Sequence, residues 1–157
     1  MTCHINHDCE SNAAHTWNAR IHRHTVHAIR DIDVGEEITL SYVRLLTKRK
    51  PRQTRYKTCY GFICFCRVGS LPDEQSKERD LSLKQIVSLE DLFDAECRTN
   101  PLEALGYVDA ETPIYSELGR ECESAWVHGC AVTITIAYGD LARARVFVER
   151  AVTISGR

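Results

Sequence analysis

The spacing of apolar residues changes along this 157-residue chain. In residues 13–42 apolar and polar positions alternate, and Ile38, Leu40 and Tyr42 share one face of a short segment. A period of two is typical of a half-buried β-strand, and a Gly-Glu-Glu turn precedes this segment. The first third of the chain therefore predicts short antiparallel strands joined by tight turns.

After Pro72 the apolar residues recur every three or four positions, which predicts helices. The first predicted helix carries apolar residues from Leu83 to Phe93 and stops before Asn100-Pro101, because a residue before proline is pushed out of the helical region. Its polar positions would face solvent.

A second helix is predicted to start at Thr112, with Pro113 in its first turn, and to end near Gly139. Its expected apolar stripe contains Ile114, Leu118, Cys122, Trp126, Cys130 and Ile134. Asp140 is the predicted N-cap of a third helix that reaches Ser155. Two helices separated only by Gly139-Asp140 must fold back on each other, and this helical hairpin resembles a tetratricopeptide-type unit.

The charges nearly balance, with 20 basic and 22 acidic residues and a net charge of -2. This composition argues against a protein that binds nucleic acid through non-specific charge. Residues 44–57 contain seven basic side chains and no acidic one. We predict a solvated loop there, and a surface for an acidic partner is the alternative.

No run of 18 apolar residues and no signal peptide occurs, so the sequence predicts an intracellular protein of the nucleus or cytoplasm without a membrane span. In a reducing compartment its eight cysteines are better explained as thiols or metal ligands than as disulfides. Four histidines in the strand region are predicted to be solvated, with His22 and His24 on one face of a strand.

Three ordered motifs stand out. They are Asn6-His7-Asp8-Cys9-Glu10-Ser11-Asn12, Gly35-Glu36-Glu37-Ile38-Thr39-Leu40-Ser41-Tyr42 and Tyr60-Gly61-Phe62-Ile63-Cys64-Phe65-Cys66. Together they resemble the C-terminal half of a SET domain followed by a post-SET segment, and the helical tail resembles that of SET-and-MYND proteins. The resemblance implies an α+β fold and transfer of a methyl group from S-adenosylmethionine to a protein lysine, in a histone or another protein.

The resemblance also implies roles for particular residues. Asn6, His7, Tyr42 and Phe62 would contact S-adenosylmethionine, and Tyr42 would be the active-site tyrosine beside the lysine amine. A tyrosine hydroxyl suits that task because it orients an amine without a charged base.

The family's zinc ligands would correspond to Cys9, Cys64 and Cys66. The sequence reads Arg67-Val68-Gly69-Ser70 where the family has a further cysteine, so a tetrahedral zinc ion needs another ligand. Cys59, Cys3 or a histidine such as His7 could fill that place, and a degenerate site without zinc is the alternative.

By this resemblance the chain divides into three parts. They are the C-terminal half of a SET domain (1–57), a post-SET-like segment (58–72) and a helical region (80–157). Because no Gly-x-Gly motif is found, we expect a truncated chain with an incomplete cofactor site, and whether it is an enzyme stays open. The alternatives are a non-catalytic module that binds a protein partner through the helical hairpin, and a zinc-binding structural protein.

Overall fold

A computed structural model describes residues 4–44 and 46–155, which form two compact units, residues 1–80 and 81–157. The first unit holds short strands and a short helix, and the second is helical, so the α+β fold class is confirmed. The candidate zinc ligand Cys3 lies outside the described residues.

Four strands belong to the first unit. They are β1 (Asn6–His7), β2 (Ala13–Asn18), β3 (Arg23–Ala28) and β4 (Thr39–Leu40). The strands β2 and β3 pair as the predicted antiparallel hairpin, but β1 and β4 pair in parallel, with Asn6 opposite Thr39. The prediction of antiparallel pairing was wrong for β4, because the hairpin that precedes it brings the chain back parallel to β1, a strand that was not predicted.

The prediction that His22 and His24 share one face of a strand is wrong. His22 lies in the turn before β3 with φ of 50°, so it is not on a strand face with His24. His15, His22, His24 and His27 are nevertheless all exposed, as predicted.

The basic stretch is not a loop. Residues Arg49–Arg55 form helix α1, which continues into a π-helical segment, Tyr56–Tyr60. Arg52 is buried and donates a hydrogen bond to the Thr47 carbonyl oxygen at 2.9 Å, so one of the basic side chains is structural. The prediction failed because the buried face of α1 uses polar side chains, which leave no apolar period in the sequence.

The core of the first unit is small and rich in sulfur and aromatic groups. Its buried members are Cys9, Val43, Tyr56, Cys64 and Val68. Residues from all three sequence motifs surround it, so the core of this unit is also the candidate site.

The remaining helices are α2 (Asp73–Glu96), α3 (Pro101–Glu117), α4 (Glu121–Ala137) and α5 (Leu141–Ser155). Helices α2 and α5 agree with the first and third helices predicted from the sequence. The single helix expected from Thr112 to Gly139 is wrong, because residues 112–117 end α3 and a separate helix follows.

The helix ends explain this break. The Gly119 amide donates to Ser116 and the Arg120 amide donates to Tyr115, which together form a Schellman cap. The glycine has φ of 65°, which favours a residue without a Cβ atom. Gly139 ends α4 in the same way, so α4 and α5 form a helical hairpin joined by three residues.

The second unit has a core of its own. The buried apolar side chains include Leu83, Ile86, Ala104, Val108, Ala131 and Phe147. Trp126 was expected on the buried stripe but is 76% exposed, because α3 and α4 are separate helices with different faces. The likeness of the α4–α5 hairpin to a tetratricopeptide unit stays a prediction.

Candidate methyl-transfer and metal site

The three sequence motifs converge on one aromatic cluster. His7 comes from β1, Tyr42 follows β4, and Phe62 follows the π-helical segment. The His7 ring centroid lies 5.2 Å from that of Tyr42 and 5.9 Å from that of Phe62, and the Tyr42 and Phe62 rings meet edge to face at 6.2 Å. Residues separated by up to 55 positions are thus neighbours in space.

Two further tyrosines complete the cluster, and sequence reasoning gave neither a place there. Tyr56 is fully buried, lies 4.4 Å from the His7 ring and stacks on Phe62 at 5.2 Å with an interplanar angle of 13°. Tyr60 donates a hydrogen bond to the Tyr42 carbonyl oxygen at 3.0 Å. The four-residue spacing of Tyr56 and Tyr60 fits one face of a helix. Tyr56 was missed because residues 44–57 were expected to form a loop, and Tyr60 was part of the third motif without a role.

The Tyr42 hydroxyl is held in a defined position. It donates a hydrogen bond to the carbonyl oxygen of Ile5 at 2.5 Å. Its hydrogen is therefore committed, and the oxygen lone pairs stay free to accept hydrogen bonds from another group.

Two asparagines of the first motif hold the turn before β4. Asn12 is almost fully buried, donates to Glu36 and to the Glu37 carbonyl oxygen, and accepts from the Thr39 amide, each at 2.9 Å. Asn6 is exposed, and its amide nitrogen donates to the Glu37 carboxylate at 2.6 Å. Asn12 is therefore a structural residue of the turn, whereas Asn6 presents its side chain at the surface.

The predicted zinc ligands lie close together. The Cys9 sulfur is 3.8 Å from that of Cys64, and the Cys64 sulfur is 3.3 Å from that of Cys66. His7 joins them, with its Nε2 atom 3.5 Å from the Cys9 sulfur. Among the described residues, His7, Cys9 and Cys64 are the only group of His, Cys, Asp or Glu side chains that could hold a metal ion.

These distances match the edges of a zinc tetrahedron. Bonds of about 2.3 Å to sulfur and about 2.0 Å to nitrogen give edges of about 3.8 Å between sulfurs and about 3.5 Å between sulfur and nitrogen. The pairs Cys9–Cys64 and Cys9–His7 already have these separations, whereas the Cys64–Cys66 separation is shorter. His7, Cys9 and Cys64 therefore fit three ligands of a zinc ion, with Cys66 beside Cys64, whereas the exposed sulfur of Cys59 contacts Thr58.

The other nitrogen of His7 can complete this arrangement. Nδ1 lies 3.1 Å from the Leu40 carbonyl oxygen and 3.2 Å from the Tyr42 amide nitrogen. A carbonyl only accepts and an amide N–H only donates, so the two contacts belong to opposite tautomers. A metal on Nε2 requires the tautomer in which Nδ1 donates to Leu40, and such a carbonyl partner is typical of metal-binding histidines.

Gly69, one of the positions where the family's further cysteine was expected, has no room for a side chain. A Cβ atom there would lie 2.6 Å from the Cys64 carbonyl oxygen and 3.1 Å from the Cys64 sulfur, so no side chain fits. The Gly69 amide instead lies 3.3 Å from the Cys66 sulfur and donates to it. Backbone and imidazole groups thus occupy the space around the three thiols.

The electrostatics of the cluster favour one thiolate. The hydrogen bond from Cys9, together with the Gly69 amide, lowers the pKa of Cys66 to about 5. The same hydrogen bond and burial raise the pKa of Cys9, and burial raises the pKa of Cys64. Burial also lowers the pKa of His7, which keeps the imidazole neutral, the form in which it binds metals.

Comparison with known proteins agrees with this geometry. The family model of the SET domain matches residues 1–43. Histone-lysine N-methyltransferase set5 of Schizosaccharomyces pombe is 34% identical over 150 residues, which cover 93% of this chain and 46% of that protein. The chain belongs to the SET-domain family.

This SET-domain protein is also similar to SET-and-MYND-type enzymes. N-lysine methyltransferase SMYD2 of Gallus gallus is 33% identical over 92 residues, 59% of this chain and 20% of that protein. Histone-lysine N-methyltransferase SMYD3 of Homo sapiens is 30% identical over 95 residues, 54% of this chain and 22% of that protein. The matches thus span less than half the length of each of these relatives.

Within residues 4–44 and 46–155 of this SET-domain protein, no helix combines sufficient length with sufficient apolar character to cross a bilayer.

Proposed function

We propose that this SET-domain protein is a protein-lysine N-methyltransferase that uses S-adenosylmethionine. The observation that carries the proposal is the meeting of His7, Tyr42 and Phe62 in one cluster. The relatives named above are lysine methyltransferases, which supports the same reaction. We assign the cofactor-binding roles to Asn6, His7, Tyr42 and Phe62.

The described residues fit part of a cofactor site. S-adenosylmethionine, when bound, supplies a methyl group activated by a sulfonium charge. Asn6 offers an exposed amide that both donates and accepts, and the backbone of His7 offers the same pair of groups. Phe62 is partly buried against the Tyr56 ring, so it gives an apolar wall held at a fixed angle.

In this proposal Tyr42 positions the lysine amine. Because its hydrogen is donated to Ile5, the Tyr42 oxygen can accept a hydrogen bond from the amine, and the Ile5 carbonyl oxygen offers a second acceptor nearby. Two fixed acceptors hold the N–H bonds and thereby direct the amine lone pair. The lysine must lose its ammonium proton before it can react as a nucleophile.

The test measures cofactor binding and methyl transfer separately. Calorimetry with S-adenosylmethionine should detect binding, and transfer of labelled methyl groups to protein lysines should follow. Tyr42→Phe keeps the aromatic ring that would line the cofactor site, so it should retain cofactor binding. Without the hydroxyl it should lose about 10²- to 10⁴-fold in turnover, the usual contribution of one such group. Tyr138→Phe, which alters an exposed tyrosine of the second unit, is the matched control and should leave both unchanged. Absence of binding at millimolar cofactor would remove the enzyme function for this polypeptide.

We also propose a structural zinc ion on His7, Cys9, Cys64 and Cys66, supported by the match to tetrahedral edges. The ion would join the first motif to the third across 55 positions and stabilise the core of the first unit. This role suits a zinc-binding structural protein as well as an enzyme. It does not conflict with cofactor binding, since His7 would use its ring for zinc and its backbone for the cofactor.

Metal analysis tests this site without reference to activity. We expect one zinc per chain and a lower melting temperature after chelation. Cys64→Ser should lose the metal, while Cys59→Ser, which changes an exposed thiol, should retain it. A stoichiometry far below one in the unmodified protein would refute the site.

We propose that the substrate is a lysine of a histone or another protein, in line with the names of the relatives, and that the enzyme acts in the nucleus or cytoplasm. We also propose that the helical region binds a protein partner. The chain would divide into the C-terminal half of a SET domain (1–57), a post-SET-like segment (58–72) and the helical region (80–157).

A further inference from the structure

The basic helix α1 carries positive charge that the proposed function does not use. It lies in a stretch, residues 38–72, with eight basic side chains and no acidic one. Among the described residues, two carboxylates bind this helix, and both do so at its first residue. Asp73 pairs with the Arg49 side chain at 3.2 Å, and Asp80 accepts from the Arg49 amide at 2.9 Å. The charges farther along the helix are therefore not neutralised in this way.

Three of those charges belong to exposed side chains, Lys50, Arg55 and Lys57. Among the described residues, none of the three has an ion pair or a side-chain hydrogen bond. Seven positions separate the two lysines, which is about 10 Å along a helix at about 1.5 Å per residue. An extended peptide spans that distance with about three residues. A short anionic segment can therefore meet all three cations at once.

Two grooves follow this charged surface and share Thr54. The first has a volume of about 540 Å³ and lies between the helical residues and the tail that follows them, residues 63–70. The second has a volume of about 510 Å³ and is lined by helical residues alone. Lys57 lines the first groove, and Lys50 and Arg55 line the second. The unpaired cations therefore border both grooves.

The first groove is held in shape by Gln53. Its Nε2 atom donates to the Cys64 carbonyl oxygen at 2.8 Å, and the Cys64 amide donates to its Oε1 atom at 3.1 Å. The pair of hydrogen bonds fixes the tail against the helix. Cys64 is buried, whereas its neighbours Ile63 and Phe65 are 53% and 80% exposed and line the groove. Two large apolar side chains exposed together in one groove indicate an interaction site.

We propose that this surface binds an acidic peptide segment of a partner protein that carries one apolar side chain. Its carboxylates pair with Lys57 in the first groove and, beyond the shared wall, with Lys50 and Arg55. Its apolar side chain contacts Ile63 and Phe65. A nucleic acid is also anionic, but the net charge of the chain is -2 and the aliphatic Ile63 offers a base no aromatic plane for stacking. This inference does not depend on methyltransferase activity.

The first experiment titrates the peptide Gly-Glu-Glu-Leu-Glu-Glu-Gly into the full chain and follows amide signals by NMR. The signals of Thr54, Lys57 and Phe65 should shift in a saturable way, and binding should weaken as salt is added. Exchanging all glutamates for glutamine should weaken binding at least about tenfold, because each exposed ion pair contributes about two- to fivefold. Exchanging leucine for serine should weaken it about fivefold. No shift, or equal affinity of the glutamine peptide, would overturn the proposal.

The second experiment uses variants at exposed positions, where folding is not at risk. Lys57→Gln should weaken binding of the same peptide about two- to fivefold, and Phe65→Ala should weaken it about fivefold. Lys84→Gln makes the same charge change on α2, and Trp126→Ala removes an exposed aromatic ring from α4. Both controls should bind the peptide as the wild type does. Unchanged affinity in Lys57→Gln or in Phe65→Ala would contradict the proposal.

Competition distinguishes a peptide from a nucleic acid. A short DNA duplex is titrated against the bound peptide at physiological ionic strength, and we expect the peptide to stay bound. Displacement of the peptide by a lower concentration of duplex would assign the surface to nucleic acid and overturn the peptide proposal.

Discussion

Glu111 should make the stability of the helical unit depend on pH. This carboxylate on α3 is 1% exposed, and neither of its oxygens has a hydrogen-bond partner among the described residues. Burial, together with the nearby Glu90, raises the pKa of Glu111 from 4.5 to about 7. The folded protein therefore holds this proton to a higher pH than the unfolded chain does.

The sign and size follow from that shift. A raised pKa of an acid contributes stability that is complete below about pH 4.5 and is lost as pH rises through about 7. At 1.36 kcal/mol for each pKa unit, the loss amounts to about 3 kcal/mol. Glu111→Gln should remove this dependence, so the variant should match the wild type near pH 4.5 and exceed it by about 3 kcal/mol near pH 8.

Urea unfolding followed by helical circular dichroism at several pH values between these limits measures the effect. Glu117→Gln, an exposed residue of the same helix, is the control for a simple loss of charge and should leave the pH dependence as it is in the wild type. Parallel stability curves for wild type and Glu111→Gln would refute the reasoning.

Other substitutions test the first unit. Gly69→Ala should lower the free energy of unfolding by about 1–3 kcal/mol in denaturant unfolding, because the new methyl group meets the Cys64 carbonyl oxygen. Gly106→Ala is the control. Its methyl group meets no atom within 4 Å, so it should be neutral or stabilising. Asn12→Ala should cost about 2–5 kcal/mol, because it removes three hydrogen bonds made by a buried side chain, one of them to a carboxylate. A cost below about 1 kcal/mol would contradict its assigned role.

The sequence predicted the parts of the helical unit whose signals are local. Asp140 was recognised as an N-cap, and its carboxylate does accept from the Arg143 amide at 3.0 Å. Gly139 was recognised as a helix end, but Gly119, which forms the same cap, was overlooked because Thr112-Pro113 looked like a helix start. Pro113 nevertheless lies inside α3, although proline in a helix interior removes a backbone hydrogen bond and is more typical of the first turn.

The candidate site was predictable only where a motif marked it. His7, Tyr42 and Phe62 lie in the motifs and meet in space, whereas Tyr56 joins them from a basic helix that no motif covers. The groove beside α1 was beyond prediction for another reason. It depends on the hydrogen bonds that Gln53 makes with the Cys64 backbone, and those are a property of tertiary packing.

The parallel pairing of β1 and β4 constrains the order of folding. Thr39 lies 33 positions after Asn6. Closing so long a loop costs chain entropy, and no favourable contact offsets this cost until the two strands have met. The β2–β3 hairpin can form within about 1–10 μs, and its pairing of Ala13 with Ala28 shortens the loop that remains. We therefore expect substitutions in the turn of this hairpin to slow folding, while substitutions in β4 mainly accelerate unfolding.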